Sequence, residues 1–342
     1  MGKGMGKGMG KGIDIGKVIS QLADAVKQKV KGLEQVYMGQ ESEILGVKKF
    51  LSTGIWAIDW MLGGKGLPYT RASELYGDFS SGKTWFVYLM LGKAQKDGSV
   101  GVLIETEGAY DPATARLAGV DTDKLLVISP DSVESVFNTI NAIFTEHNTD
   151  MPIVIAWDSI AATSTTHELE EGMDVRDMSK AFKMSQGLRF VTKKIGDSGG
   201  MLIAANQVRS KIGVMYGEKE TTSGGRGMEF HSSVRLKFSK IGKLLDENKD
   251  VIGQKLKIEC TKSKICVPFR HVEIELIHGQ PVAIWEGMLP LLKRKGFIVD
   301  NRGWNTFVGD DSKWRDSQFS EMIVTDIGKR IVNQFLGVEV VN

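Results

Sequence analysis

The chain has 342 residues, 42% of them hydrophobic and 25% charged, a balance that supports one large core with appendages or two domains. It contains no apolar run of about 18 residues and does not open with a charged, apolar, small-residue leader, so neither a membrane span nor export is expected. The formal net charge of +2 is too small to attract nucleic acid globally, and any such contact must come from charge placed locally.

Residues 1–12 repeat Met-Gly-Lys-Gly and hold nothing that packs a core, so a flexible basic arm is expected there. From Ile15 the texture changes. Ile15, Val18, Ile19, Leu22, Val26, Val30 and Leu33 recur at helical spacing, with Lys17, Lys27, Lys29 and Lys31 around them. The polar stretch 39–43 separates this helix from the longer, more apolar remainder of the chain. Such a helix packs on its own core or docks on a neighbour, and spacing leaves both open.

Next comes a short apolar strand over 72–76, then Gly77, Asp78, Phe79, Ser80, Ser81, Gly82, Lys83 and Thr84, then an apolar helix expected to end near Gly92. The eight residues satisfy G-x-x-x-x-G-K-[ST] between a strand and a helix, the setting that phosphate binding needs. Glycines let backbone N–H groups turn inward, and the helix N-terminus adds partial positive charge. Lys83 would reach the β- and γ-phosphates of a nucleoside triphosphate, and the Thr84 hydroxyl would hold Mg²⁺.

Beyond it, strands over 100–104, 125–128, 153–157 and 201–205 alternate with helices over 132–147 and 177–195. Near-continuous apolar strands with helices between them predict an α/β fold around a mostly parallel sheet covered on both faces. After Gly225, runs over 234–238, 256–260 and 272–276 alternate with period two and read as an antiparallel extension. From Trp285 a small mixed segment carries Trp304 and Trp314 and closes with a helix near 321–336. Cys260 and Cys266 are expected to be buried free thiols in a reducing compartment rather than a disulfide.

Polar residues at strand ends are the candidates for triphosphate hydrolysis. Asp158 suits the shell of a bound Mg²⁺, or else a helix N-cap. Glu107 could take a proton from attacking water, a role for which Glu105 and Asp111 compete. Gln207 could sense the γ-phosphate or only bond its own loop.

These residues, with the runs 107–112, 206–217, 220–225 and 262–265 and the pair Pro268-Phe269, resemble the RecA family of DNA strand-exchange recombinases. The likeness covers roughly residues 48–280 well and 285–342 loosely. It implies a P-loop RecA-type core over 46–284, preceded by a basic tail and polymerisation helix over 1–45 and followed by a small α/β domain over 285–342. It also implies ATP and Mg²⁺ as cofactors, Glu107 as the catalytic glutamate and Gln207 as the γ-phosphate sensor. Lys262 and Lys264 match lysines that reach the ATP of a neighbouring protomer. Asp111, Thr114 and His278 fall where the family holds the nucleotide base. Two loops, within 163–179 and 208–226, would meet DNA through Arg176, Arg209, Lys211, Ile212, Gly224, Gly225 and Arg226, joined by Ser185 and Arg189 on the intervening helix. The implied partners are single-stranded DNA, double-stranded DNA and further copies of the chain in a helical filament, with no membrane, in a cytoplasm.

The chain also departs from the family pattern. Thr114 and His278 replace a tyrosine pair that sandwiches adenine, so discrimination between purine triphosphates is expected to be weak. Phe182 and Glu229 stand where the family often has Arg and Lys. The amino-terminal repeat has no family counterpart and a long acidic tail is lacking, which suits a divergent member, for example one encoded by a bacteriophage and working in the host cytoplasm. The competing reading is a motor or regulatory ATPase on the same core, such as a helicase-like ring. Rings lack the glycine-bounded segment 212–225.

Overall fold

The computed structural model describes residues 15–29, 46–147, 149–172, 179–210 and 220–337. The chain divides into two units between Lys48 and Lys49. In the first, α1 (Ile15–Lys29) forms where helical spacing predicts it, and Val18, Ile19, Leu22 and Val26 of its apolar stripe are exposed. Residues 1–14 and 30–45, with the basic repeat, lie outside the described residues.

The second unit opens with β1 (Phe50–Leu51), α2 (Trp56–Met61) and β2 (Leu67–Pro68). Strands and helices then alternate through β3 (Ala72–Gly77), α3 (Lys83–Lys96), β4 (Val100–Glu105), α4 (Pro112–Leu117), β5 (Leu125–Ile128), α5 (Val133–Glu146) and β6 (Ile153–Asp158). α6 (Thr166–Glu171) and α7 (Lys180–Asp197) lead to β7 (Met201–Ser210), β8 (Glu220–Thr222) and α8 (Gly227–His231). Three long strands come next: β9 (Val234–Leu245), β10 (Val251–Ser263) and β11 (His271–Ile277). The carboxy-terminal part holds α9 (Met288–Arg294), β12 (Ile298–Asn301), β13 (Trp304–Phe307), α10 (Phe319–Met322) and α11 (Asp326–Leu336).

The main sheet runs β11-β10-β9-β3-β7-β6-β4-β5, with β8 paired to β7. From β9 to β5 every pairing is parallel, whereas β10 is antiparallel to both β9 and β11, as the period-two pattern predicts. Apolar residues of the central strands divide between two cores by alternation. Leu103, Val154, Ala156 and Ile203 face one side with α3, while Val102, Ile104, Ile155 and Trp157 face the other with α5 and α7. This is the expected α/β architecture with helices on both faces. The first core continues without a break into Met288, Leu292, Phe307, Trp314, Ile323 and Ile331, so the carboxy-terminal elements share it.

Two elements run further than their apolar patterns. α3 continues to Lys96 through Gly92, where the glycine serves close packing: a Cβ there would meet Gly119 C at 2.7 Å. β7 extends through polar Gln207–Ser210 because β8 pairs with it there. Cys260 is buried, but Cys266 is only half-buried, since β10 ends at Ser263 and Cys266 lies in the turn beyond; both are free thiols. Among the described residues no helix is long and apolar enough to cross a membrane.

Candidate functional site

Parallel register gathers the polar strand ends on one edge of the sheet. Gly77, which closes β3, lies beside Gln207 of β7, and Glu105, which closes β4, lies beside Asp158 of β6. The loop from Gly77 to Thr84 joins β3 to α3 at this edge. Gly82 caps α3 with φ 90°, and a Cβ on it would come within 2.5 Å of Leu256 Cδ1, so conformation and space both call for glycine. Lys83 Nζ donates to the carbonyls of Asp78 (2.6 Å) and Gly77 (3.1 Å) and to Ser81 Oγ (3.3 Å). Burial lowers the Lys83 pKa, and Asp158, Glu107 and Asp78 oppose that shift by their charge.

A cavity of about 440 Å³ opens against this loop, walled by Phe79 to Thr84, Glu107, Asp158, Gln207 and His278 among others. Burial pushes the Asp158 carboxyl up to about 6, against a hydrogen bond from Thr84 that lowers it. The hydroxyl and the carboxylate therefore sit together as hard oxygen donors. They fit Mg²⁺, which takes one or two protein ligands and completes its shell with phosphate oxygens and water.

The three competing carboxylates separate cleanly. Glu105 accepts backbone N–H bonds from Glu107 (2.9 Å), Gly108 (3.0 Å) and Ala109 (3.1 Å), so its two oxygens shape the loop after β4. Asp111 caps α4, accepting from the N–H groups of Ala113 and Thr114 and from the Thr114 hydroxyl. Glu107 alone turns into the cavity. Its Oε1 accepts from Ser159 Oγ at 2.5 Å and from Gln207 Nε2 at 3.4 Å, the latter a long bond. Asp111 and Thr114 are exposed and lie outside the cavity wall that contains His278.

Beneath the site is a network that motif reading misses. Glu74, fully buried in β3, pairs with Arg235 of β9 at 2.6 Å and accepts from Asn206 Nδ2 at 2.9 Å. Asn206 also donates to the Ser223 carbonyl and, through Oδ1, accepts the Gln207 N–H. Three strands and the turn before α8 are thereby tied to the residue next to Gln207. Its signal in the sequence is a lone Glu inside an apolar strand, since a buried carboxylate requires partners.

The RecA N-terminal domain family matches residues 18–283. The chain belongs to the RecA family. It is 36% identical over 271 residues to Protein RecA of Chlorobaculum parvum, covering 79% of this chain and 77% of that protein. Against Protein RecA of Mannheimia haemolytica it is 38% identical over 261 residues, 76% of this chain and 70% of the other. With Protein RecA of Chlorobium limicola the figures are 33% over 292 residues, 85% and 82%. This RecA-family protein is a recombinase and a DNA-dependent ATPase, and a motor without strand exchange is not favoured.

The residues expected at DNA fall into two groups. Ser185 and Arg189 lie on α7, and Gly224, Gly225 and Arg226 form the turn into α8, which packs on α7. A Cβ at Gly225 would come within 2.7 Å of Ala181 Cβ. Exposed Arg209 extends from β7 opposite Thr221. Arg176, Lys211 and Ile212 lie outside the described residues. Of the two departures, Phe182 is 62% exposed on α7, and Glu229 pairs with Arg226 at 3.4 Å.

Lys262 and Lys264 sit away from their own chain's phosphate loop, and neither lines the nucleotide-sized cavity. Lys262 Nζ donates to the carbonyls of Glu229 and Phe230. Burial first, then the charges of Arg189, Lys264 and Lys262, lower the His231 pKa, so these cations share one region.

Proposed function

We propose that ATP lies along the loop from Gly77 to Thr84, with Lys83 on its β- and γ-phosphates and Glu107 as the base for the attacking water. Mg²⁺ would be held by the Thr84 hydroxyl with Asp158 behind it, and would neutralise charge on the phosphate oxygens. Gln207, in contact with Glu107, would report the γ-phosphate to β7 and to the DNA-facing turn it leads to. Lys262 and Lys264 would complete the site of a neighbouring protomer, so that hydrolysis requires a filament. In that filament single-stranded DNA would meet Ser185, Arg189, Arg209 and Gly224–Arg226, be paired with homologous duplex and exchanged, all in a cytoplasm.

The observation that carries this reading is the geometry around Glu107. It faces Gln207, Ser159 and the phosphate loop, while Glu105 and Asp111 are occupied by backbone N–H groups. Electron microscopy with ATP and single-stranded DNA, paired with turnover assays, tests it. Helical filaments and DNA-stimulated hydrolysis are expected. Closed rings, or hydrolysis indifferent to DNA, would speak for a motor instead.

A further inference from the structure

The nucleotide-sized cavity has further lining residues that the phosphate chemistry does not use. They are Trp85, Lys240, Gln254, Leu276 and His278. Trp85 follows Thr84 directly on α3. It is half-buried against the first core, its indole meets Phe86 edge-on at 6.2 Å, and the residue is part of the cavity wall.

The same cavity is lined by residues of the antiparallel strands. Lys240 pairs with Leu256, Gln254 pairs with Leu276, and His278 stands two residues beyond Leu276, its N–H bonded to the Ile252 carbonyl at 2.9 Å. Side chains two apart share a face, so Leu256, Gln254 and Leu276 point the same way, with His278 next in line. A Cβ on Gly82 of the phosphate loop would come within 2.5 Å of Leu256 Cδ1, so Leu256 marks the near end of the row. Each further pair lies about 7 Å along the strand. The row thus runs from the phosphates outward, the direction in which a ribose and a base follow a triphosphate.

We infer that Trp85 is the stacking platform for the nucleobase, with Leu276 and His278 as the facing wall and the Gln254 carboxamide at the base's polar edge. The inference rests on the ATP reading above and assigns the base to residues other than exposed Thr114. A carboxamide both donates and accepts and can rotate, so it serves adenine and guanine alike. Stacking likewise accepts any flat base. Affinity for the base is supplied this way without strict selection of ATP over GTP.

Calorimetry on the full-length protein with ATP, GTP and inorganic tripolyphosphate, each with Mg²⁺, tests the assignment. Trp85→Ala should weaken ATP and GTP together, on the order of tenfold, the scale of one lost base stack, and leave tripolyphosphate unchanged. Trp85→Phe should recover most of the loss, which also guards against a folding artefact in the alanine variant. Gln254→Ala should weaken the nucleotides and spare tripolyphosphate. Equal losses for ATP and tripolyphosphate, or no loss for either, would overturn the base subsite while leaving the phosphate site standing. A wild-type protein that binds none of the three would overturn the nucleotide reading and this one with it.

Discussion

At the scale of single residues, the division of labour among the carboxylates makes Glu107→Gln the informative change. Glutamine keeps the shape and still accepts from Ser159 Oγ, but it cannot take a proton from water. ATP hydrolysis should fall roughly 10²–10⁴-fold, while ATP and DNA binding persist. Loss of binding together with hydrolysis would show Glu107 to be structural. Neighbouring thiols provide a second residue-scale test. The neighbouring Cys260 thiol, with help from Ser263 and Arg270, holds the Cys266 thiol below the ordinary thiol range, whereas the same partnership and burial push Cys260 up. A lowered thiol pKa populates the thiolate above that value, and reactivity is lost as pH falls through it. Iodoacetamide at neutral pH should therefore modify Cys266 and spare Cys260, with a half-maximal pH below the roughly 8.5 of a free thiol. Peptide mass spectrometry reads the site, and labelling that starts on Cys260 would refute the assignment.

At the scale of elements, strands buried on both faces were legible because their apolar runs are unbroken, and the loop from Gly77 to Thr84 because its chemistry tolerates few substitutes. What escaped were features decided by distant partners. Gly92 reads as a helix stop, yet it is there because Gly119 packs against it. Polar Gln207–Ser210 read as loop and become strand because β8 arrives to pair. Nothing local says that Glu74 will meet Arg235, 161 positions away, or that Glu105 will spend its oxygens on backbone. The sheet edge poses its own question. β5 ends the main sheet with Leu126 50% and Val127 37% exposed, an open edge of the kind that invites another strand. Leu126→Lys with Val127→Lys should leave nucleotide binding intact and reduce self-association, because charges on an open edge oppose pairing. Sedimentation with ATP and DNA distinguishes the cases. Unchanged assembly would free this edge of any such role.

At the scale of the whole molecule, the proposed ATP site and the two lysines stand apart. Its phosphate loop, Glu107, Asp158 and Gln207 share one cavity, while Lys262 is held by the Glu229 and Phe230 carbonyls, near Lys264 and Arg189. Burial and the charges of Lys264 and Arg235 lower the Lys262 pKa, and the crowding of these cations is what an anionic partner arriving there would relieve. Head-to-tail assembly brings one face of a protomer against a different face of the next, and in the filament proposed above it would carry these lysines to a neighbour's site. Lys262→Ala with Lys264→Ala should then leave a folded protein that binds ATP but lacks DNA-stimulated hydrolysis. Mixing this variant with Glu107→Gln protein decides whether the lysines act across the boundary. Each is inactive alone, but random co-assembly at equal ratio leaves about one interface in four with an intact Glu107 facing intact lysines. Hydrolysis should therefore reappear in the mixture at a fraction of the wild-type rate and vanish at either extreme of composition. If co-assembly is verified by sedimentation and no mixture turns over ATP, the lysines act within their own chain or only on its surface.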